Sequence, residues 1–424
     1  MIYIYRALTN IFFPIFVLII FARRFYNKEH KTRYKEKIFA SHFDIKRDSK
    51  KRIFWFHASS IGEVKSVIPL IKKIDSKNRN INFLITTTTF SSGELIKNKI
   101  SKNHNITHRY FPLDTNKLVK SFLDQWKPDM AFFVDSEIWP NFLLSIKKKD
   151  IPLILINARI TKKTLKKWKY FSSFSKKIFS TFDLCLASSK ESQKNLKILF
   201  AKNVKFLGNL KFIQNPEKQL LDKKNTKILN KFKVWCAAST HDGEDQLCIK
   251  AHIDLKKKHK RIITIIIPRH INRAKDIYNL CKNYNINSQI LNNKSLINKN
   301  IEILIVNSFD VLNKYFNYCD SIFIGKSMLE KFKLVGGQNP IEAAKFGCRI
   351  YHGPYVYNFV EIYKLLKRYK ISYKVGNYNQ LSKNLHRDFK QKNKINQKFN
   401  LKKLDMHGKI ILQKTMKEID IYKR

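Results

Sequence analysis

From Arg52 onward the chain alternates short, almost unbroken apolar runs with longer stretches whose apolar residues recur every three or four positions. Residues 53–57, 83–87, 130–134, 152–156 and 184–187 have the length and the apolar continuity of strands covered on both faces. Between them, residues 64–74, 117–126 and 189–199 carry the amphipathic spacing of helices. A polar, Lys- and Asn-rich stretch over 214–233 breaks the series, which then restarts with strands predicted at 234–238, 262–267, 303–306 and 321–324 and helices at 310–318, 340–346 and 359–369. Strands and helices alternating at this pace predict βαβ units and parallel sheets. The fold class is therefore α/β, with two Rossmann-like, doubly wound parallel-sheet domains. Their expected limits are 25–213 and 234–424, joined by a linker over 214–233, with the last helix packing back on the N-terminal domain. No short fixed period runs through the chain, which argues against a solenoid. Two such domains are expected to face a central cleft, with ligands at the carboxyl ends of the strands.

Length agrees with that division, since 424 residues exceed the roughly 250–300 that one hydrophobic core organises. Lys and Arg number 84 against 32 Asp and Glu, a formal charge of +52, which suits an anionic partner: nucleic acid, membrane or substrate. Lys, Asn and Ile are abundant throughout while Gly and Pro number 11 and 10, so a compositional bias inflates lysine everywhere and the charge selects among these no further. Cys185, Cys236, Cys248, Cys281, Cys319 and Cys348 are scattered without a C-x-x-C pair, which argues against a zinc site and against a disulfide framework. His104 and His108 stand four apart but lead into a strand and lack the helix and Glu of a zinc protease motif. No metal is expected there.

The first residues differ from the rest. Residues 11–22 are strongly apolar, and extension back to Ile2 takes in Arg6, Thr9 and Asn10. A spanning helix needs about 20 apolar residues, so residues 1–24 are expected to form a membrane-associating helix that spans or lies in the interface. Arg23, Arg24, Lys28, Lys31, Arg33, Lys35 and Lys37 follow without a small-residue cleavage site, which disfavours a signal peptide. These cations are expected to hold the following chain on the cytoplasmic side and to face anionic headgroups.

The candidate chemistry lies directly after predicted strands. Ser59-Ser60-Ile61-Gly62-Glu63 opens a helix with a carboxylate that is either a proton acceptor or the Glu of a capping box with Ser60. Asp135-Ser136-Glu137-Ile138-Trp139-Pro140-Asn141 sets two acids beside an indole, close enough to perturb each other's ionisation. Asn157-Ala158-Arg159 and Gly208-Asn209-Leu210-Lys211-Phe212 supply cations. In the second half come Ser239-Thr240-His241-Asp242-Gly243-Glu244 and Pro268-Arg269-His270, whose arginine suits a phosphate clamp. Gly336-Gly337-Gln338-Asn339-Pro340-Ile341-Glu342 combines a glycine loop, a helix start and a carboxylate. It reads either as a nucleotide pocket, with Asn339 capping a helix whose first position is Pro340 and whose amides attract phosphate, or as a plain capping box.

In this order, S-x-G-E, E-I-W-P-N, N-A-R, G-N-L-K-F, S-T-H-x-G-E, P-R-H, G-G-x-N-P-x-E and G-P-x-x-x-N-F (Gly353, Pro354, Asn358, Phe359) resemble the 3-deoxy-D-manno-octulosonic acid (Kdo) transferases of Gram-negative lipopolysaccharide synthesis. The resemblance runs from the apolar N-terminus to about Glu361. It implies an inverting, membrane-associated glycosyltransferase of the GT-B type, at the cytoplasmic side of the inner membrane, moving Kdo from CMP-Kdo to the lipid A precursor lipid IVA, with no cofactor, no metal and no nucleic acid partner. It further implies Glu63 as general base, Glu137 and Lys211 as transition-state stabilisers, and CMP held by Pro268, Arg269, Asn339, Pro340, Ile341 and Glu342. A family segment D-T-M-G-E-L aligns with Asn307 to Leu312, where Asp310 and Val311 replace its glycine and second acid; backbone contacts to CMP from Phe309, Asp310 and Val311 are what that alignment implies. Gln338, Ala343, Lys326 and Asp135 also depart from the family's usual residues. Two rivals stand beside this reading: a UDP-sugar-dependent GT-B enzyme or epimerase, and a non-catalytic basic protein that binds membrane or RNA.

Overall fold

The computed structural model describes residues 1–43, 50–99, 105–292, 295–308, 311–391 and 394–422. They fall into two compact units: Met1–Gln214 with Gly408–Arg424, and Asn215–His407. In the first unit β1 (Arg52–His57), β2 (Ile81–Thr87), β3 (Ile106–Tyr110), β4 (Met130–Val134), β5 (Leu153–Ala158), β6 (Leu184–Ala187) and β7 (Val204–Phe206) form one sheet. Its order is β3-β2-β1-β4-β5-β6-β7, and every pairing is parallel. The second unit repeats the plan with β8 (Lys233–Thr240), β9 (Ile262–Pro268), β10 (Ser288–Leu291), β11 (Ile303–Val306), β12 (Ser321–Ile324), β13 (Arg349–His352) and β14 (Ser372–Lys374). Its order is β10-β11-β9-β8-β12-β13-β14, again parallel throughout.

These are two doubly wound sheets, each reversing its winding beside its first strand: between β1 and β4, and between β8 and β12. At such a switch point the loops at the carboxyl ends diverge to opposite faces and leave a crevice. The central strands are apolar without interruption because helices cover both faces: Trp55, Phe56, Phe132 and Phe133 in the first unit, and Trp235, Ile265, Ile266 and Phe323 in the second, are fully buried. Phe56 and Phe132 stack across neighbouring strands at 4.3 Å. The strands absent from the predicted apolar runs, β3, β7, β10, β13 and β14, lie at or next to a sheet edge, where partly covered positions interrupt the apolar run.

The polar stretch after residue 214 contains a short helix, Lys223–Leu229, in which buried Asn225 accepts from the Ile297 amide at 2.8 Å. The closing helix, Lys394–Asp420, counts with the first unit from Gly408 onward. There Lys205 pairs with Glu418 at 2.6 Å and Asn203 with the Tyr422 hydroxyl at 2.8 Å.

In place of one N-terminal helix there are two, Ile2–Ile11 and Phe13–Phe25, bent by 50°. Pro14, at the start of the second, has no N–H to continue the ladder. Among the described residues no single helix is long and apolar enough to cross a membrane, although the pair passes together on length and composition. The following basic cluster is not uniformly directed at an external anion. Arg33 pairs with Glu36 at 2.7 Å, Arg23 with Glu29 at 2.8 Å, and buried Lys37 with Glu29. Lys37 also donates to the Thr88 carbonyl at 2.7 Å. Lys28, Lys31 and Lys35 remain exposed.

Candidate active site

In the first unit the loops after β1, β4, β5 and β7 carry the chemistry. Ser60 caps the helix Ile61–Lys77, and Glu63 reaches back, accepting from the Ser59 amide and the Ser60 hydroxyl at 2.8 Å each. The capping box is therefore real, yet the same carboxyl is poised for chemistry: burial, with the charges of Glu137 and Asp135, raises its pKa to about 7. Glu137 goes the other way. Burial pushes it up, but hydrogen bonds from His57 at 3.1 Å and the Trp139 indole at 2.8 Å outweigh that and leave it below the ordinary glutamate range. Neighbouring carboxyls driven apart in this manner are the pattern of a proton acceptor beside a permanent anion.

His57 holds Glu137 through an ordered chain. The Trp55 indole, which can only donate, bonds the Thr86 hydroxyl at 2.9 Å; Thr86 meets His57 Nδ1 at 3.0 Å; and His57 Nε2 faces Glu137. An ionised Glu137 needs a donor, so His57 Nε2 carries a proton, and the Thr86 hydroxyl fixes the ring from the Nδ1 side. The ring is fully buried and stacks on Phe111 at 3.7 Å.

Asp135 begins the loop after β4 in a left-handed conformation, φ 60°. Burial raises its pKa against the pull of Lys211 and Arg159, so both cations lie within electrostatic reach of Asp135. Asn157 is left-handed too, φ 53°, where the β5–β6 register slips, and such a bulge re-aims a side chain. Its Oδ1 accepts from the Leu210 amide at 3.0 Å, while Asn209 accepts from the Lys211 amide at 3.0 Å. The turn presenting Lys211 is thus tied to β5. It also rests on the closing helix: a Cβ on Gly408 would lie 2.4 Å from the Phe212 carbonyl oxygen.

The second unit gathers its motifs at the ends of β8, β9 and β12. Glu244 is fully buried and accepts four backbone amides: His241 at 3.0 Å, Lys326 at 2.6 Å, Ser327 at 2.8 Å and Met328 at 3.0 Å. It organises the loops and is not exposed to a substrate. Pro268 ends β9 opposite Thr240, and exposed Arg269 donates its amide to the Thr240 carbonyl at 3.0 Å. Gln338 Nε2 lies 3.3 Å from His241 Nε2.

The glycine loop departs in detail from its expected form. The helix spans only Ile341–Lys345, Pro340 precedes it as N-cap, and Asn339 Oδ1 accepts the Ile341 amide at 3.2 Å. One turn aligns few peptide dipoles, so its end attracts phosphate weakly and side-chain cations must do more. The glycines are required by the chain's own packing: a Cβ on Gly336 would sit 2.3 Å from the Tyr355 carbonyl oxygen, and Gly337 has φ +90°. Phe309 and Asp310 lie outside the described residues; Val311 is buried beside the helix Leu312–Phe316. His104 also lies outside them, and His108 bonds Thr87 at 2.9 Å. Among the described residues no three His, Cys, Asp or Glu side chains are grouped to hold a metal, and the six cysteines are buried and free.

A family model described as 3-deoxy-D-manno-octulosonic-acid transferase (kdotransferase) matches residues 31–214. The 3-deoxy-D-manno-octulosonic acid transferase of Rickettsia bellii is 30% identical over 354 residues, 83% of this chain and 82% of that protein. The chain belongs to the Kdo transferase family. It is a glycosyltransferase. The Haemophilus influenzae Kdo transferase is 26% identical over 74% of this chain and 73% of its own length. In structure, a glycosyltransferase from Rickettsia africae superposes with a TM-score of 0.58 at 14% identity, covering 88% of this chain and 98% of that one. UDP-GlcNAc 2-epimerase from Neisseria meningitidis gives 0.56 at 15% identity, over 86% and 100%. At such identities these two likenesses speak for the fold alone.

Motif reading of the transferase names Glu63 and Glu137, which act on each other, and Lys211, which acts on Asp135 beside them, but it passes over His57. That residue reads as the apolar-facing end of a strand; only its partners Thr86 and Glu137, 29 and 80 residues away, give it a task.

Proposed function

We propose that this transferase moves Kdo from CMP-Kdo to lipid IVA with inversion, in lipopolysaccharide synthesis at the cytoplasmic face of the inner membrane. The observation that carries the proposal is the opposite tuning of two adjacent glutamates, Glu63 raised to about 7 and Glu137 lowered. Glu63 takes the proton of an acceptor hydroxyl, whose oxygen attacks the anomeric carbon of Kdo while the bond from that carbon to the CMP phosphate oxygen breaks. Positive charge developing on the sugar is met by the fixed anion of Glu137. Lys211 offsets the acidic groups of sugar and acceptor. In the second unit, Pro268 and Arg269 with Asn339, Pro340, Ile341 and Glu342 hold CMP, Arg269 opposing its phosphate. The proposal calls on no metal or cofactor.

The membrane assignment is supported by the outward apolar side chains of the bent pair, Tyr3, Ile4, Ile11 and Leu18, together with exposed Lys28, Lys31 and Lys35. Incubation with CMP-Kdo and lipid IVA, followed by mass spectrometry of the lipid, tests donor, acceptor and stoichiometry at once. The lipid should gain one or more Kdo masses; unchanged lipid with folded enzyme would refute the assignment. A thermal-shift comparison of CMP with UDP separates this reading from a UDP-sugar enzyme.

A further inference from the structure

The loop after β12, Gly325-Lys326-Ser327, contains a lysine where the backbone favours glycine. Lys326 has φ 57°, the left-handed region that a side chain disfavours. It is held there from both sides. Its amide is accepted by Glu244 at 2.6 Å, and its carbonyl accepts the Gly337 amide at 2.6 Å. Gly325, immediately before it, packs so closely on β8 that an added Cβ would lie 2.5 Å from the Ser239 carbonyl oxygen. The backbone is therefore fixed between Glu244 and Gly337, and the lysine ammonium acts electrostatically on His241.

The charges around it are unevenly committed. Arg273 forms an ion pair with Asp245, nearly buried at 2% side-chain exposure. Among the described residues the Lys326 ammonium has no hydrogen-bond or ion-pair partner, and neither has the Arg269 guanidinium. Both act on His241, which burial, then Lys326, His270, Arg273 and Arg269 in turn, hold down to about 4. A neutral His241, bonded to Gln338, leaves uncommitted cations converging at the ends of β8, β9 and β12, beside the switch point of the second sheet. A strained backbone position that presents an unpaired cation there points to an anionic ligand.

We propose that Lys326 binds the phosphate of the donor nucleotide, acting with Arg269 as the cationic pair of the second unit. This rests on the reading that the second unit holds a nucleotide donor. Lys326 is a binding residue, opposed to the phosphate and not to the base or ribose.

The substitution Lys326→Gly tests it, because glycine removes the cation while relaxing the backbone. Binding of CMP and of cytidine is measured by calorimetry on the full chain, with thermal denaturation alongside. The expected result is a CMP dissociation constant raised roughly 10- to 100-fold, as for loss of a charge-assisted hydrogen bond. Cytidine binding should be unchanged, the melting temperature unchanged or higher, and Lys326→Arg should restore most of the CMP affinity. CMP binding by Lys326→Gly equal to wild type, or an equal loss for CMP and cytidine, overturns the inference. Failure of the donor reading looks different: wild type then ignores CMP and takes UDP, and the same comparison run with UDP and uridine decides Lys326 on its own. A wild type that binds neither nucleotide removes both proposals.

Discussion

Replacing Glu63 with Gln separates the two jobs of this side chain, because the amide keeps the shape and one acceptor oxygen but carries neither charge nor basicity. Burial together with Glu137 and Asp135 lifts the carboxyl from 4.5 to about 7 in the fold. Holding it ionised therefore opposes folding by about 3 kcal/mol at most, at ~1.4 kcal/mol per tenfold. Glu63 is partly exposed, so solvent screening reduces this to the order of 2 kcal/mol. The sign follows from a folded pKa above the unfolded one: between 4.5 and about 7 the native state holds the extra proton. The protonated group's contribution is full below 4.5 and disappears as pH rises through 7. Wild type and Glu63→Gln should thus melt together near pH 4.5. By pH 8 to 9 the variant should be the more stable by roughly 4–8 °C. Activity should move oppositely: kcat/KM of wild type climbs about tenfold per pH unit toward 7 and levels off, and the variant loses about 10²- to 10⁴-fold with its affinity for CMP retained. Melting curves and initial rates across pH 4.5 to 9 check both. A variant that keeps more than a tenth of the turnover removes Glu63 as the base, and a melting difference that does not change with pH refutes the tuned environment.

His57→Phe keeps the stack on Phe111 but deprives Glu137 and Thr86 of a partner; kcat should fall about 10- to 100-fold with a stability loss of ~1–3 kcal/mol, and a variant with normal kcat would show that Glu137 needs no such support. Gly408→Ala would ordinarily stabilise a helix by ~1 kcal/mol, yet here the added methyl meets the Phe212 carbonyl, so denaturant titration should show a loss of ~1–3 kcal/mol and assays a lower kcat through the displaced Lys211; an unchanged midpoint would refute that contact. In Glu244→Gln the new amide N–H₂ must face backbone amides now bound by carboxylate, and the expected outcome is a loss of ~2–4 kcal/mol with weakened CMP binding, checked by melting and calorimetry. Full CMP affinity in that variant would mean that the loop order does not depend on the carboxylate.

The local alphabet is enough for the architecture. Runs such as Met130–Val134 and Ile303–Val306 are apolar at every position because helices flank both faces of a parallel sheet, and that continuity can be read without coordinates. The ordered loop motifs likewise mark Glu63, Glu137, Lys211 and Arg269, since each stands just after a strand, where side chains project from the sheet edge. What stays hidden locally is whichever property depends on partners distant in the chain. Glu63 satisfies a capping box and is also raised to about 7 by burial together with the charges of acids more than seventy residues away, so the choice between structural and chemical roles has no local answer. His57 and Glu244 look like a strand end and a helix start, and become a positioning ring and a loop anchor only through neighbours 80 and 82 residues distant. The left-handed turn at Lys326 is held by long-range hydrogen bonds to Glu244 and from Gly337 against residue preference. Electrostatics and hydrogen bonding act through space, and the folded sheet decides which charges share it.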